Sequence, residues 1–313
     1  MGERWDAIVI GGGMAGLSAA LMLGRARRAV LVVDAGQPRN RFAAHMHGVL
    51  GAEGTAPDEL RRRGRAEAAK YGARFRAGRV ERVDVDRDTA TVRTEDGDAL
   101  PARAVVVASG MTDRLPEVDG LGSRWGKSVL HCPYCHGWEV RDRRIGVLAT
   151  SELALHQAEL VRQWSDRVVF FAAELGTLEP DVERRLRARG VDVVTSPVVE
   201  VAGEGDDIAT VRTADGAEET VEAIFTIPHA EPHDGFLSHL GIERAQTRMG
   251  SFLAVDTAGR TSVDRIWAVG NVVRPAANVP ACVSFGATTG IEVNMALVTE
   301  DFDRAAGRRA DAG

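Results

Sequence analysis

One glycine pattern constrains this chain more than any other feature. Gly11-Gly12-Gly13-Met14-Ala15-Gly16 follows directly on the apolar run Ala7-Ile8-Val9-Ile10. A second strand-like run at 29–33 ends in Asp34, an acidic residue about 20 positions beyond the glycines. That is the spacing of a βαβ unit whose first turn receives a dinucleotide. Gly11 makes the tight turn, Gly13 lets backbone approach a pyrophosphate, and Gly16 lets helix pack on strand. The helix N-terminus attracts the anion, and Asp34 accepts a ribose hydroxyl. A second unit of this kind opens at Ile145-Gly146-Val147-Leu148-Ala149-Thr150-Ser151 but keeps a single glycine. Between the two stands His131-Cys132-Pro133-Tyr134-Cys135-His136-Gly137.

The 313 residues suffice for two domains. A hydrophobic share of 44% and a charged share of 27% are those of a globular chain. A net charge of −6 and the absence of a long basic block argue against a nucleic-acid partner. No run approaches the roughly 18 uninterrupted apolar residues of a membrane span. The first strand, beginning near Trp5, leaves no room for a secretory leader, so the expectation is a cytoplasmic protein in a reducing compartment. Three cysteines there make no disulfide framework, and a close pair is redox-active or metal-binding.

The coarse pattern is α/β. Helices are expected at 16–26, 57–71 and 151–164, and strands at 7–10, 29–33, 79–85, 89–93, 102–108 and 167–171. A Pro-, Asp- and Gly-rich linker spans 112–122, and a second linker follows at 228–232. The tail carries another strand into a turn, Ile266-Trp267-Ala268-Val269-Gly270-Asn271, before a long helical segment. The middle domain is thus an insertion: 1–114 and 233–313 form one domain, 115–232 the other.

Cys132-Pro133-Tyr134-Cys135 needs two neighbouring thiols and one depressed pKa to act as a redox pair. Zinc held by these cysteines with His131 or His136 is the weaker alternative, because adjacent residues give poor tetrahedral geometry and no second Cys-x-x-Cys exists. Cys282 reads as a small buried hydrophobe, and His229 and His233 as exposed linker residues.

The order of these motifs resembles the low-molecular-weight thioredoxin reductases across nearly the whole chain. More closely, Arg39-Asn40, His45-Met46-His47-Gly48 and Cys-Pro-Tyr-Cys-His-Gly-Trp-Glu resemble the FAD-dependent dithiol oxidases of the gliotoxin and holomycin type. The resemblance implies a two-domain flavoprotein disulfide reductase-like fold: a discontinuous FAD-binding Rossmann-type domain with an inserted, vestigial NADPH-type domain. Two departures from thioredoxin reductase argue against NADPH. Leu148, Ala149 and Thr150 replace the bare backbone of the second fingerprint, and Phe170-Phe171-Ala172-Ala173-Glu174 lacks the arginines that grip a 2′-phosphate.

By the same resemblance the catalytic residues are Cys132, Cys135 and His136. Cys132 faces the substrate, Cys135 lies next to the flavin, and His136 stands where the reductases carry an acid/base Asp. A histidine there titrates near neutrality and suits taking a thiol proton. FAD contacts are implied for Gly11, Gly13, Met14, Ala15, Gly16, Asp34, Ala35, Arg39, Asn40, His47, Ala108, Gly110, Asn271, Asn278 and Val279, and no metal is expected. The implied reaction oxidises a small-molecule dithiol, of a secondary metabolite, with O2 as acceptor and H2O2 as product, in a homodimer. Two alternatives stay open at this stage: a reductase fed by a donor other than NADPH, and a flavin-loaded redox sensor without turnover.

Overall fold

The computed structural model describes residues 4–310. The chain begins with β1 (Trp5–Ile10), α1 (Met14–Arg25), β2 (Val30–Asp34), α2 (Pro57–Lys70) and β3 (Arg74–Ala77). It continues through β4 (Val80–Val85), β5 (Ala90–Thr94), β6 (Ala99–Val107) and β7 (Met111–Arg114). Next come β8 (Val129–Leu130), α3 (Pro133–His136), β9 (Ile145–Leu148), α4 (Leu153–Val161), β10 (Val168–Phe171), α5 (Pro180–Ala188) and β11 (Val191–Val194). A small sheet of β12 (Val198–Ala202), β13 (Thr210–Thr213) and β14 (Glu218–Glu219) precedes β15 (Ala223–Thr226) and β16 (His229–Pro232). The hairpin β17 (Arg244–Thr247) and β18 (Gly250–Leu253), then β19 (Ile266–Ala268) and α6 (Val279–Ala310), complete the chain.

Two compact units result. The first comprises 1–39, 58–112 and 230–313, the second 40–57 and 113–229. The expected boundary kept 1–114 in one piece; residues 40–57 instead cluster with the second unit, as do 113 and 114, while 230–232 join the first. A loop with little periodicity carries no sign of which core its few apolar anchors enter, and in 40–57 one such anchor is the buried Met46.

In the first unit the sheet runs β3-β2-β1-β6-β5-β4, with β19 also on β6. The long β6 serves both ends: 99–102 pair antiparallel with β5, and 105–107 pair parallel with β19. Alternation sends successive side chains to opposite faces. Ile8, Ile10, Leu31, Val33, Val105 and Val107 enter one core, and Ala7, Val9, Val30, Val32, Ala104 and Val106 the other. Strands buried on both faces read as continuous apolar runs, which is why these were visible in the sequence. Each fully buried Val, Leu or Ile contributes about 1.5–3 kcal/mol relative to exposure.

α1 and α6 cover the second of those faces. A Cβ on Gly286 would stand 2.1 Å from the Ala15 carbonyl oxygen, and one on Gly290 2.7 Å from that of Ala19, so the two helices meet backbone to backbone. Arg103 ties the far end of α6 down, bonding Asp6, Glu300 and Asp301 at 2.9, 2.8 and 2.6 Å. By length and composition α6 is long and apolar enough to cross a membrane, which a search for uninterrupted apolar runs did not anticipate. Its Gly286 and Gly290 nonetheless lie against α1 within the first unit.

The second unit repeats the layered plan on the sheet β11-β10-β9-β15-β8. Ile145, Val147, Val168, Phe170, Ala223 and Phe225 face one core; Leu148, Val169, Phe171 and Ile224 face the other.

Candidate functional site

The first unit presents a nucleotide cradle at the turn between β1 and α1. Gly11 has φ +109°, and a Cβ there would fall 2.3 Å from the Ala108 carbonyl oxygen, so Ala108 closes the turn from the neighbouring strand. Gly16 is equally closed, since its Cβ would stand 2.0 Å from the Gly11 oxygen. Gly13 is different: nothing lies within 4 Å of the place its Cβ would occupy. No side chain caps α1, which leaves the first-turn N–H groups of Met14, Ala15 and Gly16 without a side-chain acceptor. Open space over Gly13 at an uncapped helix N-terminus fits a pyrophosphate.

Asp34 stands beside this opening. A Cβ on Gly12 would lie 2.5 Å from its Oδ2, its Oδ1 accepts the Gly36 N–H at 3.1 Å, and Arg61 lies 3.6 Å away. Ala35 is exposed next to it. Opposite, the turn of Gly270 touches the first turn of α1, with the would-be Cβ of Gly270 2.9 Å from that of Ala15. Asn271 follows at once. Its Nδ2 faces the carbonyl oxygens of Arg274, Pro275 and Ala277 at 3.1, 3.3 and 2.9 Å, and Arg39 donates to the same Pro275 oxygen at 2.8 Å. A carboxylate here would meet three carbonyl oxygens, so the amide is the group this loop requires. Asn278 accepts the Ala281 N–H at 3.1 Å through Oδ1 and caps α6, whose first residue is Val279. Gly110, with φ +75°, ends the segment after β6, where Ser109 donates to the His233 carbonyl at 2.6 Å. His233 is half-buried, not exposed: its ring meets Thr112 Oγ1 at 2.7 Å and the Ser109 oxygen at 3.1 Å. These residues together fit an extended dinucleotide.

The second unit holds the dithiol. Cys132 and Cys135 form a disulfide with Cα atoms 5.2 Å apart. Cys132 precedes the single turn α3, started by Pro133, and its carbonyl accepts the N–H groups of Cys135 and His136 at 3.0 and 3.1 Å. Tyr134 in this turn and Trp138 just beyond it are 75% and 65% exposed, and Tyr134 meets Trp164 edge-on.

His136 is half-buried, its ring edge-on to that of His47 with centroids 6.0 Å apart. Burial, then the nearby His47, hold its pKa below the ordinary histidine value, against a smaller opposite pull from Glu139. His47 lies on a loop closed by Met46 N–H to the Thr55 oxygen and Gly54 N–H to the Met46 oxygen, both at 2.9 Å. Its Nδ1 bonds Glu53 at 2.7 Å, its Nε2 lies 3.5 Å from Glu139, and Glu53 also accepts the Gly48 N–H at 2.8 Å. The His47 bond, then the Gly48 amide, hold the Glu53 carboxyl below the usual carboxylate range.

His47 and Asn40, expected within the first domain, cluster instead with the dithiol unit, where Asn40 donates to the Met46 sulfur. His45 is exposed. Glu53 was missed altogether. The available signal was Gly48, Gly51 and Gly54, all at positive φ in a compact loop that brings a carboxylate back to His47. Cys282 is buried in the first unit, and burial pushes its thiol up to about 11.

The second fingerprint turn is filled by the chain's own groups. Leu148 and Ala149 are buried, and the Thr150 hydroxyl donates to the Ile227 carbonyl. Gly146 lies within β9, where a Cβ would stand 3.0 Å from the Phe171 ring, so this glycine serves packing. β10 leads to the exposed Glu174.

Residues 5–290 match the family of pyridine nucleotide-disulphide oxidoreductases. The chain is 31% identical to thioredoxin reductase sirT of Leptosphaeria maculans, over 95% of each chain. The solved structure of HlmI superposes with a TM-score of 0.94 at 44% identity, covering 99% of this chain and 97% of HlmI. An oxidoreductase from Agrobacterium tumefaciens gives 0.90 at 38% identity, over 95% of this chain and 99% of its own. The architecture is therefore the flavoprotein disulfide reductase-like α/β fold that the sequence implied.

Proposed function

Because this chain is a thioredoxin-reductase-like member of the pyridine nucleotide-disulphide oxidoreductases, an oxidoreductase by family, we propose that it is an FAD-dependent dithiol oxidase. It closes a disulfide in a small-molecule dithiol of secondary metabolism, with O2 as acceptor and H2O2 as product. The observation that carries this reading is the contrast between its two turns: the β1–α1 turn is open over Gly13, whereas the turn after β9 is closed by Thr150 on Ile227 beside buried Leu148 and Ala149. An intact dithiol without a place for NADPH draws its electrons from the dithiol substrate.

A substrate thiolate attacks Cys132 Sγ, the S–S bond breaks, and Cys135 leaves as thiolate. His136, kept as free base by burial, takes the thiol proton. The second substrate thiolate then attacks the substrate sulfur bound to Cys132, releasing the cyclic disulfide and leaving both cysteines reduced. Gly11, Gly13, Gly16, Asp34 and Asn271 would hold FAD, which would supply two-electron acceptor chemistry for the reduced cysteine pair and reactivity toward O2. The exposed rings of Tyr134 and Trp138 offer apolar contact to the body of a small substrate.

The working form is a homodimer. Ile291, Met295 and Phe302 recur on one side of α6 at helical spacing and are 46%, 56% and 75% exposed, which supports burial against a second copy.

The test is anaerobic and spectroscopic. Excess NADPH is expected to leave the bound flavin oxidised, a small dithiol to bleach it, and air to restore it with one H2O2 per dithiol. Rapid bleaching by micromolar NADPH overturns the reading.

A further inference from the structure

We propose that His47, His136 and Glu139 form a divalent metal site of the zinc class, within the dithiol unit but separate from the cysteine sulfurs. Their ligand atoms all lie within 4.8 Å of one another. Tetrahedral zinc with bonds of about 2.0–2.1 Å holds its donors about 3.3 Å apart. His47 Nε2 and Glu139 Oε1 already stand at 3.5 Å, so closing the set around an ion takes only a side-chain adjustment.

The arrangement behind the donors also points to a cation. Metal-bound histidines donate their other ring N–H to a carboxylate or carbonyl, which fixes the tautomer and turns the free lone pair to the metal. His47 has that partner: its Nδ1 bonds Glu53 at 2.7 Å, and the Gly48 amide holds the same carboxylate at 2.8 Å. With Nδ1–H donated to Glu53, the free lone pair is on Nε2, which stands 3.5 Å from Glu139. Two imidazoles and one carboxylate match the three-ligand sets of zinc, with a fourth position left open. The three ligands come from two separate stretches of chain, 40–57 and 113–229, so the site exists only in the folded unit.

Zinc in this place consumes the His136 lone pair that proton transfer requires, so bound metal holds turnover off and a chelator releases it. That consequence rests on His136 being the base; metal binding does not.

The experiment is calorimetric titration of ZnCl2 into chelator-treated, desalted holoprotein with the Cys132–Cys135 disulfide intact, so that cysteine thiolates are unavailable as ligands. One Zn²⁺ per chain is expected, and Co²⁺ is expected to give the absorbance of a four-coordinate site. Glu139→Gln and His47→Asn should each weaken binding at least about tenfold. Glu53→Gln, outside the donor set, should weaken it about 10–100-fold. His45→Asn should leave it unchanged. Absence of saturable binding, or full-strength binding in either Glu139→Gln or His47→Asn, overturns the proposal.

Discussion

His136 presents its ring edge-on to His47, with an interplanar angle of 86°. Burial first, and then the charge of the neighbouring His47, disfavour an imidazolium at His136 and lower its pKa, against a smaller opposite pull from Glu139. The sign follows directly. A base with a lowered pKa stays unprotonated at neutral pH and is lost only when the pH falls through that lowered value. In chelator-treated enzyme, turnover should therefore rise with pH through an apparent pKa below about 6.5. His136→Gln should cost roughly 10²–10⁴ in turnover and remove this limb, with FAD content unchanged. Oxygen uptake against pH checks both. A variant with near-normal turnover at pH 7 would return His136 to a packing role.

The two cysteines should separate by function. Cys132→Ser is expected to abolish dithiol oxidation while keeping the flavin bound, because the nucleotide cradle lies in the other unit. With the pair broken, an aromatic disulfide reagent should label Cys132 in Cys135→Ser faster than Cys135 in Cys132→Ser. The reverse order of labelling rates reverses their roles.

Gly13 and Gly16 make a paired test of the cradle. Gly13 has φ −75° and open space at its Cβ position, so Gly13→Ala should fold normally and lose FAD affinity. Gly16→Ala places a methyl 2.0 Å from the Gly11 oxygen and should lose about 1–3 kcal/mol of stability. Denaturant titration and flavin content together distinguish the two. Equal loss of stability in both variants would mean that Gly13 is there for packing.

Light scattering should give twice the mass of one chain. Ile291→Glu with Met295→Glu, on the exposed side of α6, should shift the protein to monomer while preserving its far-ultraviolet dichroism. A dimer that survives the double change lies on another face.

Much of this fold was readable because its central strands are buried on both sides. Ala7 to Ile10, Val30 to Val33 and Ala104 to Val107 are runs that hardly any other structure accommodates. Less was readable where pairing decides. The edge strand β3, in which Arg74 and Arg76 flank a single half-buried Phe75, carries no apolar run, and neither does the hairpin strand Arg244-Ala245-Gln246-Thr247, exposed throughout. In the candidate site, Cys132, Cys135 and His136 are neighbours in sequence and were legible as a set. The bond from His47 to Glu53 depends on a loop closure by Met46, Gly54 and Thr55 that local pattern does not encode.

The membership of 40–57 in the dithiol unit bears on how such chemistry can be transplanted. An engineer who excises the continuous stretch 113–229 as a cassette carries away both cysteines, His136 and Glu139 but leaves His47 and Glu53 behind. A faithful graft onto another nucleotide-binding frame must cut the donor twice and insert two pieces. Recombination between relatives faces the same accounting: a crossover between 57 and 113 separates His136 from the histidine that stands beside it.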